Sequence, residues 1–337
     1  MPAASQWMDR VGRRLKLRDL HVLLAVAECR SMAKAALQLA ITPPVVSKTI
    51  SDLEQTLGVP LFDRSPQGVE LTTYGQALRE CGIAVFDEMR QGLKKLEYLA
   101  DPSSGELRIG CPDIIVAGVM PPLAQRFMHE HPRVRLQIVH EDSGNRQFHH
   151  LRERNAELFI ARLGSPLVDE DLMVEDLFDE AFLAYVGVTS PWAKRRRIEL
   201  ADLIDEPWVL PPYASVPGTL IADIFRAGGL APPQPAIETL SAHLSAAMVG
   251  TGNFVGMLPV SVLHFHARRF SLKALPVVLP DKRIRIAIVT LKNRTLSRLA
   301  ELFIDCARQI SRPLLGPQTR ERASRRRNRL DPTRELA

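Results

Sequence analysis

The chain has 337 residues, enough for about two domains with cores of their own. Its 44 Lys and Arg against 38 Asp and Glu leave a net charge of +6, a mild hint of a polyanionic partner. The composition, 46% hydrophobic and 24% charged, is that of a globular protein. No run nears the ~20 apolar residues of a membrane span, and residues 1–16 lack the apolar stretch of a secretory signal. Cys29, Cys81, Cys111 and Cys306 form no CxxC pair, which argues against a disulfide framework and a zinc ribbon. A cytoplasmic protein without metal or cofactor is expected. The charge is unevenly spread: residues 1–100 carry a net +2, residues 101–311 a net −1 and residues 312–337 a net +5. That Arg-rich tail has few apolar residues to bury and is expected to be disordered, either simply solvated or in weak non-specific contact with nucleic acid.

From Leu17 the pattern is helical, with Leu17, Leu20, Leu23, Leu24 and Ala27 on one face and an end at Cys29-Arg30. Ser31 is positioned to cap a second helix over residues 32–39, whose alanines permit close approach. Ile41 and Thr42 break the run. Thr42 stands as the N-cap of a third helix, with Pro43 and Pro44 in its first turn and Ile41 and Val46 spaced as a hydrophobic staple. That helix buries Val46, Ile50, Leu53 and Leu57, turns Val45, Lys48, Thr49 and Asp52 outward, and ends at Gly58. Two helices joined by a tight turn, the second with a small-polar and Lys-bearing face, form a helix-turn-helix.

Two short strand patterns, over residues 59–62 and 69–71, flank a turn-rich tip at residues 63–68 and make a wing. Thr73 to Gln76 has capping-box spacing and opens a long helix. There Phe86, Met89, Leu93, Leu96 and Ala100 recur as in a coiled-coil seam. This stripe suits pairing of two copies, as a two-fold DNA reader needs, although it also suits packing on its own domain.

Ala35-Ala36, residues 42–48, residues 53–64 and Leu71-Thr72 together resemble the N-terminal signature of LysR-type transcriptional regulators. The resemblance covers residues 17–78 without a gap. It implies double-stranded DNA as a partner, with Thr42, Pro43, Pro44, Ser47 and Lys48 approaching the major groove and Arg64 in a phosphate or structural role at the wing. Pro43 stands where the family usually has a Gln, and Gln67 where many members place a wing Arg. Both changes remove hydrogen-bonding or charge strength at the DNA, so specificity is expected to lean on Ser47, Lys48 and DNA shape.

After a linker at residues 101–105 the pattern alternates strands (107–110, 134–138, 158–161, 284–291) with helical stretches (114–130, 296–310), which argues for an α/β sheet with crossover helices. The order resembles the effector domain of the same family, itself similar to periplasmic solute-binding proteins. The resulting expectation is α/β overall: a winged helix-turn-helix at residues 1–72, a dimerising linker helix at 73–100, a two-lobed periplasmic-binding-protein-like (type 2) effector domain at 101–311, and the tail at 312–337. A ligand cleft between the lobes would be lined by Pro112, Asp113 and Ile114 after the first strand and by Arg162 after the third. Asp113 is expected to cap its own helix, and Arg162 either to clamp a carboxylate, to pair with Asp113, or to make an inter-lobe ion pair. Ser215, Thr239 and Ser241 are weaker candidates from the second lobe. Residues 157–162, 177–180 and Pro211-Pro212 resemble the subgroup regulating sugar and aromatic-acid transport and catabolism.

Other signals carry little. Gly250, Gly252 and Gly256 follow a helix and precede a strand, the reverse of a dinucleotide-binding loop. His129/His131 and His264/His266 lack further ligands at metal spacing, and oxidant sensing through Cys111 needs a second thiol nearby. No hydrolase motif appears. The expected function is a sequence-specific, non-enzymatic transcriptional regulator controlled by a small metabolite, acting as a homodimer or homotetramer at a promoter with RNA polymerase as a further partner. Rival readings are a winged helix with an appended enzyme and an effector-independent architectural DNA-binding protein.

Overall fold

The structure, a computed structural model, describes residues 14–65, 68–141, 147–164 and 169–311, excepting the side chains of Arg64, Ser65 and His266. Gln67 and the Arg-rich segment 312–337 lie outside the described residues. The chain divides into two compact units, Met1–Leu93 and Lys94–Ala337. The division falls inside the long helix rather than at its ends. The reason is local: Lys94 and Tyr98 already pack on the second unit, the ammonium donating to Glu157 and the ring lying against the second unit's core.

In the first unit α1 (Leu17–Cys29), α2 (Met32–Gln38) and α3 (Pro43–Leu57) surround one core. The face of α1 is broader than its leucine spacing suggests, since Val22, Ala25 and Val26 are buried with Leu20 and Leu23, whereas Leu17 is exposed. Ser31 caps α2 through its hydroxyl, which accepts from the Lys34 amide at 3.4 Å. The turn into α3 passes through Ala40 in the left-handed region, and the Ile41 amide closes it onto the Ala36 carbonyl at 3.0 Å. Gly58, with φ of 75°, terminates α3.

The wing is a hairpin of β1 (Phe62–Ser65) and β2 (Gly68–Leu71), paired from Phe62↔Leu71 to Ser65↔Gly68. Its first strand therefore starts three residues later than the hydrophobic run at residue 59, because Val59 and Leu61 pack in the helical core. Glu54 holds the wing to α3: its Oε1 accepts from the amides of Leu61 at 2.8 Å and Phe62 at 3.3 Å. On the other side the Val69 amide donates to the Arg30 carbonyl at 3.2 Å.

The long helix α4 (Thr73–Ala100) is capped by Thr72, one residue before the expected Thr73. The Thr72 hydroxyl accepts from the Gly75 amide at 3.0 Å and donates to the Pro60 carbonyl at 2.7 Å. Gly75 permits this close approach, since a Cβ there would lie 2.0 Å from the Leu61 carbonyl oxygen.

The second unit is built on a nine-stranded sheet ordered β4-β3-β5-β11-β6-β9-β7-β8, with β10 also on β6. Strands β3 (Ser104–Cys111), β4 (Arg133–His140) and β5 (Leu158–Leu163) run parallel and form one half; β7 (Trp208–Leu210), β8 (Ile237–Glu238) and β9 (Val255–Pro259) form a second parallel half. Between them run β6 (Leu172–Gly187) and β11 (Arg283–Leu291), with β10 (Leu272–Ala274) at the side. The expected helix over 114–130 is broken at Gly118-Val119 into α5 (Asp113–Ala117) and α6 (Met120–Glu130). The remaining helices are α7 (His149–Arg152), α8 (Val216–Ala227), α9 (Ala242–Gly250), α10 (Val260–His266) and α11 (Arg298–Ser311). The strand β6 serves both halves: residues 172–181 pair with β11 and 182–186 with β9.

Two buried polar groups anchor the start of β5. Glu157 accepts from Lys94 Nζ at 2.5 Å and from the Ser297 amide at 3.1 Å, while Arg294 donates to the carbonyls of Ala156 and Arg154.

Removing the Glu54 carboxylate leaves two amides without their charged acceptor. We expect Glu54→Ala to destabilise the first unit by about 2 kcal/mol, read as a lower melting temperature. An unchanged melting curve would show that the wing is held by apolar packing alone.

Candidate functional site

On the first unit, α3 presents Thr42, Pro43, Pro44, Val45, Lys48 and Asp52 to solvent, with Ser47 half-buried among them. Val46, Ile50 and Leu53 fill the core beneath, and Leu57 is only half-buried. Thr42 occupies the N-cap position, but its side chain makes no capping bond; the carbonyl of Thr42 accepts from Val45 and Val46 instead. The prolines cost nothing at N1 and N2, where no intrahelical donor is required. The exposed end of α3 thus carries small polar groups and one ammonium, a combination suited to phosphate and base edges. Arg64 sits in β1 with its Cα opposite Val69, and Gln67 falls outside the described residues.

The stripe on α4 does not act as one face. Phe86 packs on its own domain, its ring centroid 5.7 Å from that of His21. Met89, Leu93 and Leu96 remain exposed, Leu93 at 59% and Leu96 at 63%.

On the second unit, the C-terminal ends of both parallel halves converge on the middle of β6. Leu163 of β5 lies level with Arg285 of β11, and thus with Asp179 of β6, while Pro259 of β9 pairs with Phe182. Helix N-termini and loops that leave parallel strands at such a junction make a cleft. Arg162 is inside β5, not after it. Its register neighbours are Ile286 and, across β11, Phe178. The β6–β11 ladder shifts by one residue at Leu177, so Leu177 and Phe178 are both buried, and Phe178, Glu180 and Phe182 come to share the face of Arg162.

Arg162 is only 6% exposed, and its Nε and Nη2 have no hydrogen-bond partner. Its guanidinium carbon stands 5.3 Å from the centroid of the Phe182 ring. Burial works against its charge and the nearby Glu180 carboxylate partly restores it. Glu180 is buried too and accepts from the Ser261 amide at 3.1 Å. Asp113 neither caps α5, whose N-cap is Pro112, nor pairs with Arg162. Its Oδ2 reaches across to the first amide of α9, Ala242, at 3.0 Å. Ile114 packs against apolar residues of both halves. Ser215, Thr239 and Ser241 spend their oxygens locally: Ser215 caps α8, Ser241 caps α9 through Leu244 N at 3.3 Å, and Thr239 accepts from Ser241 N at 3.0 Å. The Asp113–Ala242 bond joins the two sides of the cleft directly.

Sequence reasoning gave no role to Glu180, Phe182 or the Ala242 amide. Glu180 stood in a stretch noted for resemblance alone, and only the register shift in β6 shows which way it faces. Cys111 is buried, with its thiol pushed up to about 12 by desolvation, the wrong environment for a reactive thiolate. Among the described residues no group of three His, Cys, Asp or Glu is placed to hold a metal ion, and no helix is long and apolar enough to cross a membrane. The glycines at 250 and 252 form a tight turn from α9 to β9, as their order requires.

Burial holds the Glu180 carboxyl above its ordinary value of 4.5, against the opposing pull of Arg162. A carboxyl whose folded-state value is raised is penalised once ionised, so its contribution to stability falls as pH rises from the ordinary value through the raised one. Urea unfolding at stepped pH is expected to show wild type losing stability relative to Glu180→Gln across that window; parallel curves would mean that Glu180 is not desolvated.

Comparison with known proteins gives two family matches. The LysR substrate binding domain model matches residues 100–312, and the model of bacterial regulatory helix-turn-helix proteins of the lysR family matches residues 17–76. The HTH-type transcriptional regulator YdcI of Escherichia coli (strain K12), itself uncharacterized, is 27% identical over 88% of this chain and 96% of its own length. BenM, an HTH-type transcriptional regulator of Acinetobacter baylyi, is 27% identical over 83% of this chain and 92% of its own. Full-length CbnR complexed with its target DNA shares the fold with a TM-score of 0.51 and 22% identity, over 88% of this chain and all of that one.

Proposed function

The chain belongs to the LysR family of transcriptional regulators, which are not enzymes, and from that premise we propose how its parts are used. Residues 1–72 read DNA, residues 73–100 pair two copies, and residues 101–311 bind a small effector in the cleft. The observation that carries the DNA reading is the solvent face of α3, where Lys48 has no ion-pair partner in the described chain and Thr42, Pro43, Pro44 and Ser47 surround the helix start. Arg64 and Gln67 extend the interface along the wing. The exposed apolar residues Met89, Leu93 and Leu96 on α4 support a homodimer, or a homotetramer built from it, since a second copy of the same stripe is the complementary surface a two-fold operator calls for.

Effector binding between the lobes, at Pro112, Asp113, Ile114, Arg162, Ser215, Thr239 and Ser241, shifts the balance between two arrangements of the lobes and so the presentation of the paired α3 helices to a promoter in the cytoplasm, with RNA polymerase as the downstream partner. The subgroup resemblance of residues 157–162, 177–180 and Pro211-Pro212 favours a sugar or an aromatic or other organic acid as effector.

Lys48→Ala is expected to weaken operator binding and to flatten the dependence of log K on log salt by about one unit, read by titration at several salt concentrations. An unaltered slope would remove Lys48 from the phosphate contacts. Leu93→Glu places a charge in the apolar stripe. Sedimentation is expected to show dissociation of the wild-type oligomer, and an unchanged assembly would mean that the copies pair elsewhere.

A further inference from the structure

We propose that the cleft takes its ligand through one carboxylate seated on Arg162, and that Asp113 excludes ligands bearing a second. The inference deepens the effector reading above and rests on it. Nε and Nη2 lie along one edge of a guanidinium and together make the fork that accepts the two oxygens of a carboxylate. On Arg162 both of these atoms are buried and both lack a partner. The contrast with Arg294 is direct: that buried guanidinium donates to the carbonyls of Ala156 and Arg154 and holds the chain together. Arg162 holds nothing together. Phe182 covers its face, and Glu180 is committed to the Ser261 amide. No carboxylate of the described chain forms an ion pair with it.

Glu180 offsets part of the buried charge of Arg162 but no hydrogen bond reaches its Nε and Nη2, and a hydroxyl ligand would satisfy those donors without adding to the charge balance. An anion of fork geometry satisfies both.

Asp113 supplies the selectivity. The start of α9 also attracts negative charge, and it is already occupied by the chain's own carboxylate on Ala242 N. β3 pairs in parallel with β5, Ile109 opposite Leu158 and Gly110 opposite Phe159, so α5, which follows β3, starts at the edge of the sheet where β5 ends and Arg162 stands. In this proposal a ligand on Arg162 extends toward the Asp113 carboxylate on the Ala242 amide, and a second carboxylate would meet that charge.

Thermal melting of the full-length protein tests this with acetate and benzoate, their amides, and malonate, succinate and glutarate, each at matched ionic strength against chloride. The monocarboxylates are expected to raise the melting temperature saturably and the amides not. Arg162→Met should abolish the effect, and Arg162→Lys, which keeps the charge without the fork, should weaken binding at least tenfold. Asp113→Ser should let at least one dicarboxylate bind tenfold or more tighter than it binds wild type. Acids acting no better than chloride, or acting equally on wild type and Arg162→Met, would overturn the proposal. So would dicarboxylates indifferent to Asp113→Ser, for the exclusion. Saturable stabilisation by D-glucose or D-galactose without any response to acids would overturn it while leaving the effector cleft standing. Operator binding by each variant, read through α3, reports separately on the regulator reading and on folding.

Discussion

Strand β6 crosses from one half-sheet to the other, and between Asp176 and Phe178 it carries a residue that β11 does not match. Side chains on a strand alternate, so one additional residue reverses every assignment beyond it. Upstream, Val174 lies on the face of Ala287 and Val289; downstream, Phe178, Glu180 and Phe182 lie on the face of Arg162. Without the insertion Asp179 and Ala181 would face Arg162 instead. The guanidinium would then have neither its aromatic cover nor the Glu180 carboxylate behind it. The chemistry of the cleft depends on this irregularity more than on any single polar side chain.

The DNA-reading unit solves a different problem. A unit this small has a limited core, and its wing is too short to stabilise itself. Backbone groups at both ends of the hairpin are therefore tied to helices, through Glu54 on one side and the Arg30 carbonyl on the other. The start of α3, at Thr42, Pro43 and Pro44, stays exposed to meet a partner.

Much of this was legible in the amino-acid order because local signals and tertiary packing agree. The Ser31 cap, the proline pair at the head of α3, Gly58 at its end and the alternation of strands and helices after residue 104 all state their structure locally. The LysR resemblance rested on Ala35-Ala36, residues 42–48, residues 53–64 and Leu71-Thr72. What stayed hidden depends on partners distant in sequence. Asp113 reads as a helix cap, the commonest use of an Asp at that position, yet it serves a helix 129 residues away. Arg162 reads as a residue past the end of its strand, because an Arg inside an apolar run is a poor local guess; it is covered by Phe182 from the other half of the sheet. The linker stripe was legible as apolar but not as divided, since the contact between Phe86 and His21 has no signature in spacing.

Strand β5 is fastened at one end and carries a buried guanidinium near the other. Glu157, Lys94, Arg294 and Ser297 fix its start, every residue along it is buried, and Arg162 stands near its end beneath Phe182. An arginine side chain on a surface surrenders rotamer freedom when it closes on a ligand, and that loss subtracts from affinity. Here the freedom was surrendered when the chain folded. The ordering cost is carried by the stability of the domain, so a small molecule with few atoms to offer can still be held by the contacts it makes.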